Sequence, residues 1–344
     1  MKYRSLQILR SIAAIFVVLY HIRGYFIIID SNTSTFFNLF NEYFSLGAFL
    51  FFAISGFLMS YLIDIEYKQF LLKRLLRIYP AYIIAVVLCL FIKIVVFESV
   101  TQPQILKSLT LLPLGNIPYV LNVEWTLIYE VFFYFICFPF TFKYLKKYFP
   151  YFLGLWTVLI IVGAGWFKIS TLFLPTINTI FFSYFNLCFI TGAMVYYIYK
   201  HYQIKSRVAN SMMLTLSLII IILFEEFGKT LSVIANTKYI AFAISMGLII
   251  YASLQLLKDN KSKLMNGLER FGEYSYALYL VHVPIITITF VVVRDLWKLE
   301  LNTITGFFVL FLSLGVGYLY GKVDIKIHKL IREQVDHFKG KGKI

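Results

Sequence analysis

Apolar runs of about 20 residues recur from one end of this chain to the other. Hydrophobic residues make up 60% of the 344 residues, and charged residues only 14%. The core of a water-soluble domain of this size does not call for so much apolar surface, so part of the solvent must be lipid. The alternating short strands that build membrane barrels are absent from the sequence. The pattern therefore predicts an all-α integral membrane protein.

The apolar runs predict about ten membrane helices. The first is interpreted as a membrane helix and not a cleavable signal peptide, because no small-residue cleavage site follows it. The longest linker, at about 98–125, contains several prolines and predicts an irregular loop with at most a short helix. The spans are predicted at about 5–29, 44–64, 77–97, 126–147, 150–167, 177–199, 209–226, 237–256, 274–294 and 303–323.

The distribution of positive charge gives these helices an orientation. The chain carries 32 Lys and Arg against 17 Asp and Glu, a net charge of +15. With the N-terminus placed in the cytoplasm, most of the basic residues fall in cytoplasmic segments, as the positive-inside bias requires. Both termini are therefore predicted to be cytoplasmic, with a membrane domain at 1–325 and a basic tail at 326–344. Because topology accounts for the charge, nucleic-acid binding is not expected.

The first span, "SLQILRSIAAIFVVLYHIRGY", contains ionisable residues inside an apolar run. Arg10 and His21 are eleven residues apart, which on a helix means about 16 Å of rise and roughly 20° of rotation. Both should therefore project from one face, and buried ionisable residues usually mark a working cavity. Two structural alternatives stay open: Arg10 as an anchor at the inner interface, and His21 as a histidine bonded within the bundle. Arg23 lies farther round the helix, towards the outer interface.

Two further ionisable residues fall within predicted spans. Glu130, in "EWTLIYEVFFYFICF", is one turn into the fourth span at its outer end, at a depth similar to that of His21. A carboxylate beside an imidazole can fix its tautomer and raise its basicity, although Glu130 is alternatively an interfacial charge. His282 lies in the middle of the ninth span, in "YSYALYLVHVPII", where a structural and a functional role are both open.

A basic segment, "FLLKRLLRIYPAY", precedes the third span on the predicted cytoplasmic side. Its charged residues Lys73, Arg74 and Arg77 are explained by the positive-inside bias alone. Beside an aqueous mouth, however, arginines could also hold a phosphorylated ligand by paired hydrogen bonds.

Other chemistry is not indicated by the sequence. Ser55 and Gly56, in "FFAISGFLMS", do not form a hydrolase elbow, but a small pair predicts a close approach of two helices. Phosphate-binding and dinucleotide-binding loops do not occur. The cysteines are scattered through apolar stretches, and no cluster of His, Cys, Asp and Glu has metal-ligand spacing, so no metal is expected.

The ordered segments "LQILRSIAAIFVVLYH", "FFAISGFLM", "FLLKRLLRIYPAY", "EWTLIYEVFFY" and "YSYALYLVH" together resemble the bacterial membrane acyltransferases of the acyltransferase-3 family. The family's first signature is an Arg, ten residues and a His, which Arg10 and His21 match. The chain looks most similar to the exopolysaccharide acyltransferase branch, because Gln7 and Ile8 stand where many relatives have Asp-Gly. Phe49 stands where relatives often have an acidic residue, so no role for that carboxylate is carried over.

The resemblance implies transfer of an acyl group, commonly acetyl, from a cytoplasmic coenzyme A thioester to a sugar hydroxyl. The acceptor would be a surface polysaccharide or its lipid-linked precursor, and the enzyme would lie in the bacterial inner membrane. His21 would deprotonate the hydroxyl, and Glu130 would orient His21. Arg10 would steady the donor or the developing oxyanion. The donor would bind to Lys73, Arg74 and Arg77, and the substrate to Trp125, Tyr129, His282 and Arg23.

Two other classes of protein use intramembrane charges in this way. A secondary transporter would employ Arg10, His21 and Glu130 as substrate or proton sites, but no inverted halves stand out in the sequence. A lipid-linked sugar flippase or polymerase usually has large outer loops, and the only sizeable outer loop predicted here is the one at about 98–125.

Overall fold

The computed structural model describes residues 3–30, 35–66, 68–97, 101–166, 173–230 and 237–340. Within these ranges the regular structure is helical apart from one isolated bridge between Leu114 and Thr176, so the all-α prediction is confirmed. The α-helices are α1 (Arg4–Asp30), α2 (Gly47–Asp64), α3 (Phe70–Phe97), α4 (Gln102–Thr110), α5 (Glu124–Cys137), α6 (Phe149–Trp166), α7 (Ile177–Ile180), α8 (Asn186–His201), α9 (Arg207–Thr230), α10 (Thr237–Leu256), α11 (Lys263–Phe271), α12 (Ser275–Val291) and α13 (Thr303–Gly340).

Helices capable of crossing a membrane are numerous in this structure. In the described ranges, seven segments are long and apolar enough: Arg4–Ile29, Glu42–Asp64, Phe70–Ile94, Arg207–Glu226, Lys238–Leu256, Ser275–Leu296 and Thr303–Gln334. The other three predicted spans correspond to α5, α6 and α8, which contain 14, 18 and 16 residues. The chain is therefore a multi-pass helical membrane protein, and the count of about ten stays a prediction.

Two helices extend beyond their predicted bounds. α3 begins at Phe70 and not at about 77, so Arg74 and Arg77 lie on its first two turns. α13 continues to Gly340, which makes most of the predicted tail at 326–344 a prolongation of the last helix. The reason is that this stretch is rich in Lys, Arg, Glu and Gln and lacks proline, so nothing in it stops the helix. Residues 341–344 lie outside the described ranges.

The packing of α2 against α8 holds the centre of the molecule together. A methyl group added at Gly56 would lie 1.9 Å from the carbonyl oxygen of Phe189, and one at Gly192 would lie 1.8 Å from that of Ala53. Ser60 Oγ also donates a hydrogen bond of 3.1 Å to the Ala193 carbonyl. The backbones therefore touch, as the small residues of α2 predicted, in the manner of close helix pairs in membranes.

Replacing Gly192 by alanine should weaken this helix pair. The added methyl overlaps the Ala53 carbonyl, so the helices must separate, at a cost of about 1–3 kcal/mol. The thermal unfolding midpoint of the purified protein in detergent should fall by several degrees. Gly154→Ala on α6 is the matched control, because a methyl group there meets no atom within 4 Å. Equal midpoints for the two variants would contradict the prediction.

Candidate functional site

A cavity of about 110 Å³, the arginine cavity, lies among α1, α2, α3, α5 and α12. Phe51, Phe52 and other apolar residues of α2 form one wall. Its polar lining residues are Arg10, Ser55, Arg74, Arg77, Thr126, Glu130, Tyr134, Tyr276 and Tyr279. The structure thus brings together three arginines and one carboxylate that are dispersed over the first 130 residues of the sequence.

The three arginines of this cavity have different surroundings. Arg77 forms a 2.8 Å ion pair with the buried Asp324 of α13, and its guanidinium carbon lies 5.0 Å from the centre of the Tyr276 ring. The Nε of Arg74 is buried and has no hydrogen-bond partner among the described residues. Arg10 likewise forms no ion pair within the described part of the chain, although it interacts electrostatically with Glu130. The cavity therefore presents positive charge that direct ion pairs leave unbalanced.

Glu130 points into the arginine cavity. Its Oε1 accepts hydrogen bonds from Ser55 Oγ at 2.9 Å and from the Tyr134 hydroxyl at 2.6 Å. These two hydroxyls satisfy Oε1 of the carboxylate. The hydrogen-bond partners of Glu130 among the described residues are thus Ser55 and Tyr134, and not His21.

His21 instead meets His282. The Nδ1 of His21 lies 3.3 Å from the Nε2 of His282, and the ring centres are 4.9 Å apart. The Nδ1 of His21 also lies 2.8 Å from the Val17 carbonyl oxygen, and the Nδ1 of His282 lies 2.8 Å from that of Tyr279. Because carbonyl oxygens only accept, we assign the hydrogen to Nδ1 in both rings. His282 Nε2 is then an acceptor facing His21, and His21 Nε2 is free to accept a proton.

A second cavity, of about 280 Å³, lies beyond the histidine pair. It is lined by Tyr25, Cys89, Ile92, Lys93, Val120, Leu121, Asn122, Val283, Pro284, Thr287 and Ile288. Along α1, His21 lies between Arg10 of the arginine cavity and Tyr25 of the second cavity. Along α12, His282 lies between Tyr279 and Val283, and its ring centre is 5.6 Å from that of Tyr279. The two cavities are therefore arranged in series with the histidine pair between them.

The remaining predicted site residues lie outside the linings of both cavities. Trp125 packs in a cluster of aromatic rings, 5.2 Å from Phe185 between ring centres. Tyr129 is buried, and its hydroxyl donates to Ser183 Oγ at 2.9 Å. Arg23 and Lys73 directly neighbour the site in sequence, Arg23 two residues after His21 and Lys73 one residue before Arg74.

Several residues at the arginine cavity were not singled out from the sequence. Tyr134 is four residues after Glu130 and Tyr279 three before His282, and these helical spacings would have found them. No local signal could have paired His21 with His282, 261 residues away, or Arg77 with Asp324, 247 residues away. Among the described residues, no three His, Cys, Asp or Glu side chains come together in a group that could hold a metal ion.

Comparison with known proteins bears on what this arrangement does. A family described as an acyltransferase domain matches residues 3–322. The peptidoglycan O-acetyltransferase OatA of Listeria monocytogenes serovar 1/2a is 23% identical over 361 aligned positions, which cover 90% of this chain and 54% of that protein. The chain thus spans about half the length of that relative. No solved structure matches the chain.

Proposed function

Because the chain belongs to the acyltransferase-3 family, and is thus an acyltransferase, we propose that it transfers an acyl group, most often acetyl, from cytoplasmic acyl-CoA to a sugar hydroxyl. The acceptor is a surface polysaccharide or its lipid-linked precursor. The name of the Listeria relative, which specifies O-acetylation, supports an oxygen acceptor and an acetyl donor. The family also favours an enzyme over the transporter and the flippase or polymerase that the charges alone left open.

One observation carries this proposal: the histidine pair lies between two cavities, and only one of them is lined by arginines. An acyl-transfer enzyme in a membrane must bring a large, phosphorylated donor and a sugar to the same reacting atoms. Cavities on opposite sides of a general base allow each substrate to approach from its own side.

The proposal includes an orientation. We place about ten spans in the bacterial inner membrane with both termini in the cytoplasm, as the positive-inside bias favours. The arginine cavity, formed near the N-terminal ends of α1, α3 and α12, then opens towards the cytoplasm, where acyl-CoA is present. The second cavity opens towards the exterior, where the polysaccharide is found.

Donor binding is assigned to the arginine cavity. Arg74 and Arg77 hold the phosphates of CoA through charge-assisted hydrogen bonds, which are the strongest that a protein offers to such groups. Lys73 adds positive charge at the entrance. Arg77 is already fixed in place by Asp324 and Tyr276, so it meets the donor without first losing side-chain freedom.

The chemical step takes place at His21. Nε2 of His21 accepts the proton of the sugar hydroxyl while the hydroxyl oxygen attacks the thioester carbonyl carbon. The carbon–sulfur bond then breaks, and the thiolate of CoA leaves with the proton that His21 held. The products are the sugar ester and free CoA, and no metal is needed. Arg10 stabilises the oxyanion that develops on the carbonyl oxygen.

His282 and Glu130 act on other residues of the site. His282 Nε2 accepts from His21 Nδ1, which keeps the basic nitrogen of His21 directed to the substrate and stabilises the imidazolium as it forms. This is the orienting role that the sequence assigned to Glu130. Glu130 accepts from Ser55 and Tyr134 and places one negative charge among the three arginines, which offsets part of their mutual repulsion when no donor is bound.

Sealed vesicles of known orientation test the proposal. Inside-out vesicles that enclose the polysaccharide acceptor and receive labelled acetyl-CoA outside should acetylate that acceptor and release CoA. Right-side-out vesicles given the same donor outside should not. Equal rates in both preparations would contradict the proposed orientation. Uptake of label without release of CoA would contradict the proposed acyl transfer and favour a transporter.

A further inference from the structure

The second cavity contains a positive charge that the chemistry above does not use. Lys93, near the C-terminal end of α3, is one of the lining residues. It shares the wall with Tyr25, Asn122 and Thr287, and the other lining residues are largely apolar. At about 280 Å³, this cavity is close to the lower end of ligand pockets in proteins, about 300 Å³, which suits a single sugar ring.

The carboxylate of Glu124, which interacts electrostatically with Lys93, accepts its hydrogen bonds from other groups. Its Oε1 accepts from the Leu121 amide at 2.7 Å and from Ser108 Oγ at 3.1 Å. Its Oε2 accepts from the Val123 amide at 3.1 Å. Within the described part of the chain Lys93 forms no ion pair, so its ammonium group remains available to a ligand.

The loop that completes this cavity is held rigidly. The ammonium of Lys107 is buried, donates to the carbonyls of Gly115 at 2.7 Å and Ile117 at 2.6 Å, and lies 3.9 Å from the centre of the Tyr119 ring. Burial lowers the pKa of Lys107 to about 8, because desolvation disfavours the charged ammonium. This cost cancels part of the stability that the contacts of Lys107 give to the loop. Asn122 has a left-handed backbone with φ of 64°. The position of Asn122 relative to Lys93 is therefore set before any ligand arrives.

We propose that the second cavity selects acceptors that carry an oxyanion, a carboxylate on the sugar or a phosphate attached to it, through the ammonium of Lys93. The inference rests on the proposed acyl transfer and names the class of acceptor. Tyr25 packs against the sugar ring, Asn122 hydrogen-bonds its hydroxyls, and Lys93 pairs with the anion. Thr287 donates to the Val283 carbonyl at 2.9 Å, which leaves its oxygen free to accept from the sugar.

Three acceptors of matched structure test this selection with purified protein in nanodiscs and acetyl-CoA. They are methyl glucoside, methyl glucuronoside and a short-chain polyprenyl phosphate glucose. The wild-type kcat/KM should be about tenfold or more higher for at least one anionic acceptor than for the neutral one, as a charge-assisted contact predicts. Lys93→Gln should remove that preference, by lowering kcat/KM for the anionic acceptor to about the value for the neutral one. Lys298→Gln is the control, because Lys298 is exposed and lies outside the cavity lining.

The outcomes separate this inference from the function on which it rests. If the Lys93-dependent preference is for the glucuronoside, the anion that Lys93 recognises is a carboxylate on the sugar. If it is for the polyprenyl compound, the anion is the phosphate. Equal use of all three acceptors, or a preference that survives in Lys93→Gln, would overturn the inference while acyl transfer stands. Failure of the proposed function would appear differently, as absence of CoA release with every acceptor.

Discussion

His21→Ala is expected to lower kcat for acyl transfer by about 10²–10⁴-fold, the usual contribution of a general base. His21 is the histidine of the pair whose unprotonated Nε2 is not turned to the other ring, and it lies between the two cavities. The KM for acetyl-CoA should change little, because the donor is held by the arginine cavity. Release of CoA and labelling of the acceptor by protein in nanodiscs would measure both constants.

The matched control for this variant is His201→Ala. His201 is the last residue of α8 and is exposed, so its loss should leave the rate unchanged. Because His21 is packed within the bundle, His21→Gln serves as a second variant that retains an amide donor for the Val17 carbonyl. Acyl transfer at the wild-type rate by a folded His21 variant would refute the role of general base.

His282 acts through His21, so its replacement should have a smaller effect that falls on kcat alone. In His282→Ala, the Nδ1 hydrogen of His21 keeps the Val17 carbonyl but loses its second acceptor, and kcat should fall about tenfold with an unchanged KM for either substrate. His282→Gln offers an oxygen at a similar position and should recover part of the rate. A loss of stability without this division between kcat and KM would indicate a purely structural histidine.

The fold was largely predictable because membrane spans are encoded locally. The long apolar runs and the basic linkers suffice to indicate a multi-pass helical protein. Helix ends were less predictable, since the third span was predicted to begin at about 77 and α3 begins at Phe70. In the structure Asp324 and Tyr276 bind Arg77, and α3 can begin at Phe70. Contacts from another helix, invisible in the local sequence, decide such a boundary.

The site was predictable only where its members share a helix. Arg10 and His21 follow from spacing along α1, and the resemblance added the chemistry. Which carboxylate or imidazole faces His21 depends on how α1, α5 and α12 pack. Depth alone suggested Glu130, whereas the two hydroxyls of Ser55 and Tyr134 hold that carboxylate and His282 occupies the place beside His21.

Arg74→Gln is expected to raise the KM for acetyl-CoA by about 10- to 100-fold, with a much smaller effect on kcat. A charge-assisted hydrogen bond to phosphate contributes about 1.5–3 kcal/mol, which corresponds to that range. Arg74 is the informative arginine because its Nε has no hydrogen-bond partner among the described residues. Its loss therefore removes a contact to the donor, whereas the loss of Arg77 would also leave the buried Asp324 without its ion pair.

Comparing two acetyl donors, one with phosphates and one without, tests the role of Arg74 more directly. Wild-type protein should prefer acetyl-CoA to S-acetyl-pantetheine, which has the same thioester and no phosphate, and Arg74→Gln should lose most of that preference. Lys68→Gln is the control, since Lys68 is exposed just before α3 and lies outside the cavity lining. If Arg74→Gln weakened both donors equally, Arg74 would support the cavity and not recognise phosphate. The arginine cavity would then be a passage for the acyl chain, and the phosphates would have to bind elsewhere.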